Sequence, residues 1–107
     1  MQWLILVVAG IFETVWAICL KYSEGFTKLV PSIFTVAGMI ISFYLLSLSL
    51  RHLPLGTAYA IWTGIGTVGT LIFGIIVFRE SISIPQIICV CLIAIGIIGL
   101  KLLAPAE

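Results

Sequence analysis

Charge is the scarcest property of this chain. Lys, Arg, Asp and Glu make up 8% of 107 residues, and the formal net charge is +1. No run of Lys or Arg occurs, which excludes the basic face that nucleic-acid binding requires. Cysteine is scarce too. Cys19, Cys89 and Cys91 form an odd set, without the spacing of a secreted disulfide framework or a zinc site. Each lies in an apolar stretch, where a free thiol behaves as a small hydrophobe. No metal or other cofactor is expected, and no enzyme activity. The start, Met1-Gln2-Trp3, lacks a basic n-region, and the apolar stretch after it is too long for a signal-peptide h-region. A retained helix is expected there.

What the chain has in excess is apolar side chain, 63% of its residues. A soluble domain of this size has too large a surface-to-volume ratio to hide so much, so the excess must face lipid. Four apolar segments, about 2–20, 29–50, 55–78 and 84–103, are separated by short polar breaks such as Arg51-His52-Leu53-Pro54. Each is long enough to cross about 30 Å of hydrocarbon as a helix, and an open sheet cannot span lipid. Pro31 and Pro85 fall in first turns, where a missing N–H removes no helical bond. The expected fold is therefore all-α and integral to the membrane, one domain over 1–107 with four transmembrane helices. The loops are too short to hold a soluble domain, so function must reside in the bilayer or at its surfaces.

Four crossings put both termini on one side. Arg51 and Lys101 lie on that side, with Lys21, Lys28 and Arg79 opposite. Basic residues in the loops set orientation, and this distribution has almost no bias. Either the chain inserts both ways up and pairs as an antiparallel dimer, or it holds one weakly specified orientation.

Away from the span ends there is one ionisable side chain, Glu13. A carboxylate at the bilayer centre costs roughly 2.5–3.5 kcal/mol on insertion scales. Such residues usually face the bundle interior and mark an ion or proton pathway. No interior Lys or Arg is available to pair with it, so its partner is a proton or a cation from outside. Burial favours the neutral acid and a bound cation favours the carboxylate, which is the minimum chemistry of a proton–cation antiporter. The structural alternative is a protonated carboxyl that merely bonds a neighbouring helix, a task Ser or Thr performs at lower insertion cost.

Ala9, Gly10, Trp16 and Ala17 share the Glu13 face at three- and four-residue steps. Ser42, near the midpoint of the second segment, is expected at similar depth, where its hydroxyl either donates to the Glu13 carboxylate or bonds back to its own helix. In the third segment Tyr59, Trp62, Gly66 and Gly69 form one stripe. Aromatic faces attract cations by roughly 2 kcal/mol when desolvated, and Tyr and Trp also donate hydrogen bonds. Interfacial anchoring is the alternative, and Tyr59 suits it better than the deeper Trp62. Gly64, Gly66 and Gly69 allow either a hinge or close helix packing. In the fourth segment Cys89, Gly96 and Gly99 make a small-residue stripe suited to a dimer contact. Trp3, His52 and Lys101 are expected as interfacial anchors.

One protomer is too small to enclose a pathway. Two would bring two Glu13 carboxylates together, and a like-charged pair resists double ionisation. A planar monocation rich in N–H donors relieves that repulsion, and guanidinium matches carboxylate in bidentate geometry.

Over essentially its whole length the chain resembles the small multidrug resistance transporters. The likeness rests on Glu13, on Lys21-Tyr22-Ser23-Glu24-Gly25-Phe26 and on Gly56-Thr57-Ala58-Tyr59-Ala60-Ile61-Trp62. Trp16, Thr63-Gly64-Ile65-Gly66 and Gly96-Ile97-Ile98-Gly99-Leu100-Lys101 look like the guanidinium-exporter branch. The resemblance implies an antiparallel homodimer in the bacterial inner membrane that exports guanidinium-like cations, with protons as the coupling ion. It implies that Glu13 of both protomers binds proton and substrate in competition, that Trp16, Ser42, Tyr59 and Trp62 surround it, and that the fourth helices build the dimer contact. Two alternatives remain. One is a broad exporter of quaternary ammonium drugs, which Trp16 disfavours by narrowing the site. The other is a non-transporting membrane subunit or proton-conducting proteolipid, for which the clustering of glycines beside Trp62 is unsuited.

Overall fold

The computed structural model describes residues 1–103; the last four residues of the expected 1–107 domain lie outside the described residues. Four helices follow in order: α1 (Gln2–Tyr22), α2 (Leu29–Ser49), α3 (Leu55–Val77) and α4 (Ile84–Leu103). The shortest has 20 residues, which at 1.5 Å per residue is about 30 Å, the thickness of the hydrocarbon core.

The ends follow local chemistry. α1 continues past Leu20 through Lys21 and Tyr22, where a cation in the last turn meets the negative end of the helix dipole. α2 and α3 each stop one residue before the end of their apolar stretch, with Leu50 and Phe78 as caps. Pro54, extended at φ −60° and ψ 144°, immediately precedes α3. At the start of α4, Ser83 Oγ accepts from the Gln86 backbone at 3.4 Å, and Gln86 Oε1 accepts from the Ser83 backbone at 2.7 Å. That reciprocal pair is a capping box.

α1 is the hub. It packs along both α2 and α3, while α4 leans on α3. The Cα envelope is 43 × 34 × 17 Å, so the thin direction holds about two packed helices. Few side chains are buried in so flat a body. The core is Leu6, Ala9, Leu46, Leu53, Ala58, Ile61 and Trp62, and α4 buries none of its residues. Large apolar side chains point outward on every helix, among them Leu4, Ile40, Ile76 and Leu92. In water such a surface would aggregate; in lipid it is the solvated face.

Candidate functional site

Glu13 lies midway along α1, and its carboxyl is laid on the backbone of α3 at Gly66. A Cβ added at Gly66 would fall 2.5 Å from the Glu13 Cδ, so any larger residue would displace the acid from this seat. One turn further along α3 the next residue of α1 makes a similar approach: a Cβ at Gly69 would fall 2.5 Å from Thr14 Oγ1. Gly64, on another side of α3, receives Ile97 of α4. All three glycines are thus points of close approach within an uninterrupted helix.

The acid has no protein counter-charge. The two ion pairs among the described residues are Lys21–Glu80 and Lys28–Glu24, and neither involves Glu13. Glu13 Oε1 is buried and accepts no hydrogen bond, as is Trp16 Nε1, which finds no acceptor one turn away. Thr63 Oγ1, on α3 one turn before Gly66, is the third buried polar atom left without a partner among the described residues. An unmet buried polar group costs roughly 1–3 kcal/mol, and more when charged, so each of these three groups calls for a partner.

An aromatic run begins at Trp16, one turn from the acid along α1. The Trp16 Cβ abuts Gly38 of α2, where an added Cβ would come within 2.8 Å of it. Its ring meets Phe43 edge-on at 6.2 Å; Phe43 lies 5.5 Å from Trp62, and Trp62 5.6 Å from Tyr59. The run passes from α1 through α2 to α3. Trp62 is buried in it, whereas Tyr59 is 54% exposed at its open end.

Ser42 holds this run in place, though not by the contact expected of it. Its hydroxyl donates to the Ala9 carbonyl of α1 at 2.7 Å and accepts from Trp62 Nε1–H at 2.9 Å. A hydroxyl has one proton, and this one is committed to Ala9, so Ser42 does not donate to Glu13. Nor does it bond back to its own helix. Ser42 instead ties α2 to α1 and sets the Trp62 ring plane. Thr35, Thr67 and Thr70 do bond back, to Pro31, Thr63 and Gly66 respectively.

The α4 stripe lies elsewhere. Cys89 and Gly96 are exposed, Gly99 is half-buried, and an added Cβ at either glycine would meet nothing within 4 Å. Within one chain this face is uncovered.

Residues 1–93 match the sequence pattern of the Small Multidrug Resistance protein family. The chain belongs to that family. It is similar to a guanidinium exporter of Proteus vulgaris, 60% identical over 102 residues that cover 95% of this chain and 98% of the relative. The guanidinium exporters of Yersinia pseudotuberculosis and Salmonella typhimurium are each 56% identical over 102 residues, 95% of this chain, covering 98% and 97% of their own lengths. Four helices of bilayer length in a small multidrug resistance protein with such bacterial relatives make the chain a multi-pass protein of the bacterial inner membrane.

Two members of the site escaped the sequence. Phe43 bridges Trp16 and Trp62, yet nothing in its apolar segment distinguishes it from Phe34, which faces outward at 60% exposure. Thr63 was visible as part of the Thr63-Gly64-Ile65-Gly66 motif, but not as a hydroxyl without a partner.

Proposed function

We propose that this small multidrug resistance protein exports guanidinium and small substituted guanidinium cations in exchange for protons, as an antiparallel homodimer in which Glu13 of each protomer holds either a proton or substrate. The observation that carries the proposal is the Glu13 carboxyl, lodged on bare backbone at Gly66 with a buried oxygen that no protein group satisfies. An acid without a counter-charge in an apolar setting is stable as the neutral form or beside a cation, and the exchange between the two couples their fluxes.

The surroundings suit a planar cation. Guanidinium presents paired N–H donors to a carboxylate, and its dispersed charge desolvates more readily than that of an ammonium. The Trp62 and Tyr59 rings offer faces for cation–π contact. Trp16, braced between Gly38 and Phe43, limits the width beside Glu13 and favours a small cation over a bulky aromatic one. A second copy supplies the second carboxylate, and the uncovered Cys89-Gly96-Gly99 face of α4 is the surface through which it joins. The names of the relatives point to the same substrate.

The test uses purified protein in proteoliposomes, recording currents evoked by guanidinium and, separately, by a bulky aromatic quaternary ammonium. Guanidinium is expected to evoke a current that Glu13→Gln abolishes in a protein that still folds. A response confined to the bulky cation would move the chain to broad drug export, and silence to both would make it a non-transporting subunit. Proton movement coupled to substrate in Glu13→Gln would overturn the role of the acid.

A further inference from the structure

The groove between α1 and α3 continues beyond Glu13. On α1, Glu13, Ala17 and Lys21 follow at four-residue steps; Gly66, Thr70 and Gly74 of α3 and its cap Phe78 do the same. Glu13 and Gly66 form the acid's seat, and the later members of both series, with Glu80, line a separate cavity of about 260 Å³. The cavity mouth is two helical turns from Glu13, about 12 Å along the axis.

That mouth is built around a carboxylate. Arg79 adopts φ 55°, in the left-handed region, and folds the chain back after α3. The Glu80 backbone N–H then bonds the Gly74 carbonyl at 3.1 Å, and its carboxylate rests where a side chain on Gly74 would otherwise lie. Phe78, wedged between Tyr22 at 5.0 Å and Phe73 at 5.9 Å, presents its ring beside it. A cation already occupies this corner. Lys21 Nζ is 2.5 Å from Glu80 Oε2 and 4.5 Å from the Phe78 ring centroid.

We infer that Glu80 and Phe78 form a second, outer cation site at the mouth of the α1–α3 groove, which Lys21 fills from within the chain until a guanidinium-type cation displaces it. The inference rests on the cation-transport function proposed above. The Lys21 ammonium reports what the corner binds, a monocation held by a carboxylate and a ring face. A guanidinium offers more to the same groups: two parallel N–H donors for the carboxylate and a flat face for the ring. At about 30 Å³ for a water-sized group, the cavity has room for its four heavy atoms. Lys21 competes because it is tethered, with an effective concentration in the millimolar range for so short a link. The outer site therefore binds weakly and releases easily, which suits a site that hands its ligand on.

The experiment isolates the outer site by disabling the inner one. Full-length Glu13→Gln protein, with labelled phenylalanine rings, is titrated with guanidinium chloride up to about 50 mM, with sodium chloride holding ionic strength constant. The Phe78 ring resonance is expected to shift saturably. Adding Lys21→Gln is expected to lower the midpoint roughly tenfold by removing the tethered competitor, and adding Glu80→Gln to abolish the shift while the helical circular dichroism is retained. An unchanged or raised midpoint with Lys21→Gln would overturn the site. So would a shift that survives Glu80→Gln, one that sodium alone reproduces, or none at all. Guanidinium currents in wild-type protein without a Phe78 response would remove the outer site alone. A Phe78 response in protein that carries no guanidinium would remove the transport function instead.

Discussion

Replacing Ser42 with alanine tests whether the bridge from α1 through α2 to α3 holds the aromatic run together. The side chain is fully buried and serves two partners, Ala9 and Trp62. Losing the bond to the Ala9 carbonyl is mild, because that carbonyl keeps its own helical N–H partner. Side-chain bonds between membrane helices are worth about 0.6 kcal/mol on average. Losing the acceptor for Trp62 is the larger effect, since it leaves an indole N–H buried and unpaired at a cost of about 1–3 kcal/mol. Ser42→Ala should therefore destabilise the wild-type chain by about 2 kcal/mol. In a Trp62→Phe background the N–H is already gone, and the same change should cost only about 0.6 kcal/mol.

The coupling between the two positions is then about 1–1.5 kcal/mol, well above the scatter of about 0.3–0.5 kcal/mol seen for independent sites. Reversible unfolding of the four proteins of this double-mutant cycle in mixed micelles measures it directly. Nuclear magnetic resonance supplies an independent readout, because the chain has three indole N–H signals, from Trp3, Trp16 and Trp62. Ser42→Ala should move the Trp62 signal most. Additive stabilities together with an unmoved Trp62 signal would refute the bridge. A largest shift at Trp16 would mean that the hydroxyl serves the Glu13 side of the site after all.

Gly66→Ala places a methyl on the Glu13 carboxyl; guanidinium affinity should fall at least tenfold in isothermal titration, while Gly56→Ala, where no atom lies within 4 Å of the new methyl, should change it less than twofold. Gly96 is exposed and a Cβ added there meets no atom of its own chain within 4 Å, so a Gly96→Leu protomer should fold, but crosslinking in micelles should show loss of the dimer if α4 forms its contact. The proposed competition between proton and cation at Glu13 predicts a pH dependence. Apparent guanidinium affinity should fall by up to tenfold for each unit the pH is lowered through the range where the carboxyl takes up its proton, and level off at higher pH. A flat profile from pH 5 to 9 would separate cation binding from proton release.

The helices and the acid were legible because single segments carry them. Apolar length identifies a span without reference to its neighbours, and Glu13 stands out as an ionisable group in a place where ionisation is costly. What depends on how one helix is rotated against another was not legible. Depth along α2 put Ser42 level with Glu13, but depth does not say which way the hydroxyl points, and it points at Ala9 and Trp62. Phe43 and Phe34 occupy equivalent apolar surroundings in the sequence and both are partly exposed, and only the ring contacts to Trp16 and Trp62 single out Phe43. The glycines of α3 showed the same ambiguity. Their spacing permits a bend or a close approach, and the side chains of α1 and α4 lying over them supply the close approach. Lys21 and Glu80 stand 59 positions apart, and nothing local signals their pairing.

The distribution of polar groups links these observations. In lipid a hydroxyl or N–H without a partner finds no water to replace it, so a membrane protein has reason to satisfy each one internally. Thr14, Thr35, Thr67 and Thr70 fold their hydroxyls onto their own helices, and Ser42 gives its proton to α1. Against that pattern, the buried groups left over among the described residues are an acid oxygen, an indole N–H and one threonine hydroxyl, on the two helices whose contact seats Glu13. Thr67 and Thr70 are satisfied by simple back-bonding, and the same means was available to Thr63, so its unpaired hydroxyl departs from the pattern of its own helix. Under the proposed function the acid oxygen and the hydroxyl can accept from a small N–H-rich cation, whereas the Trp16 N–H can serve only an acceptor, such as the carboxylate itself.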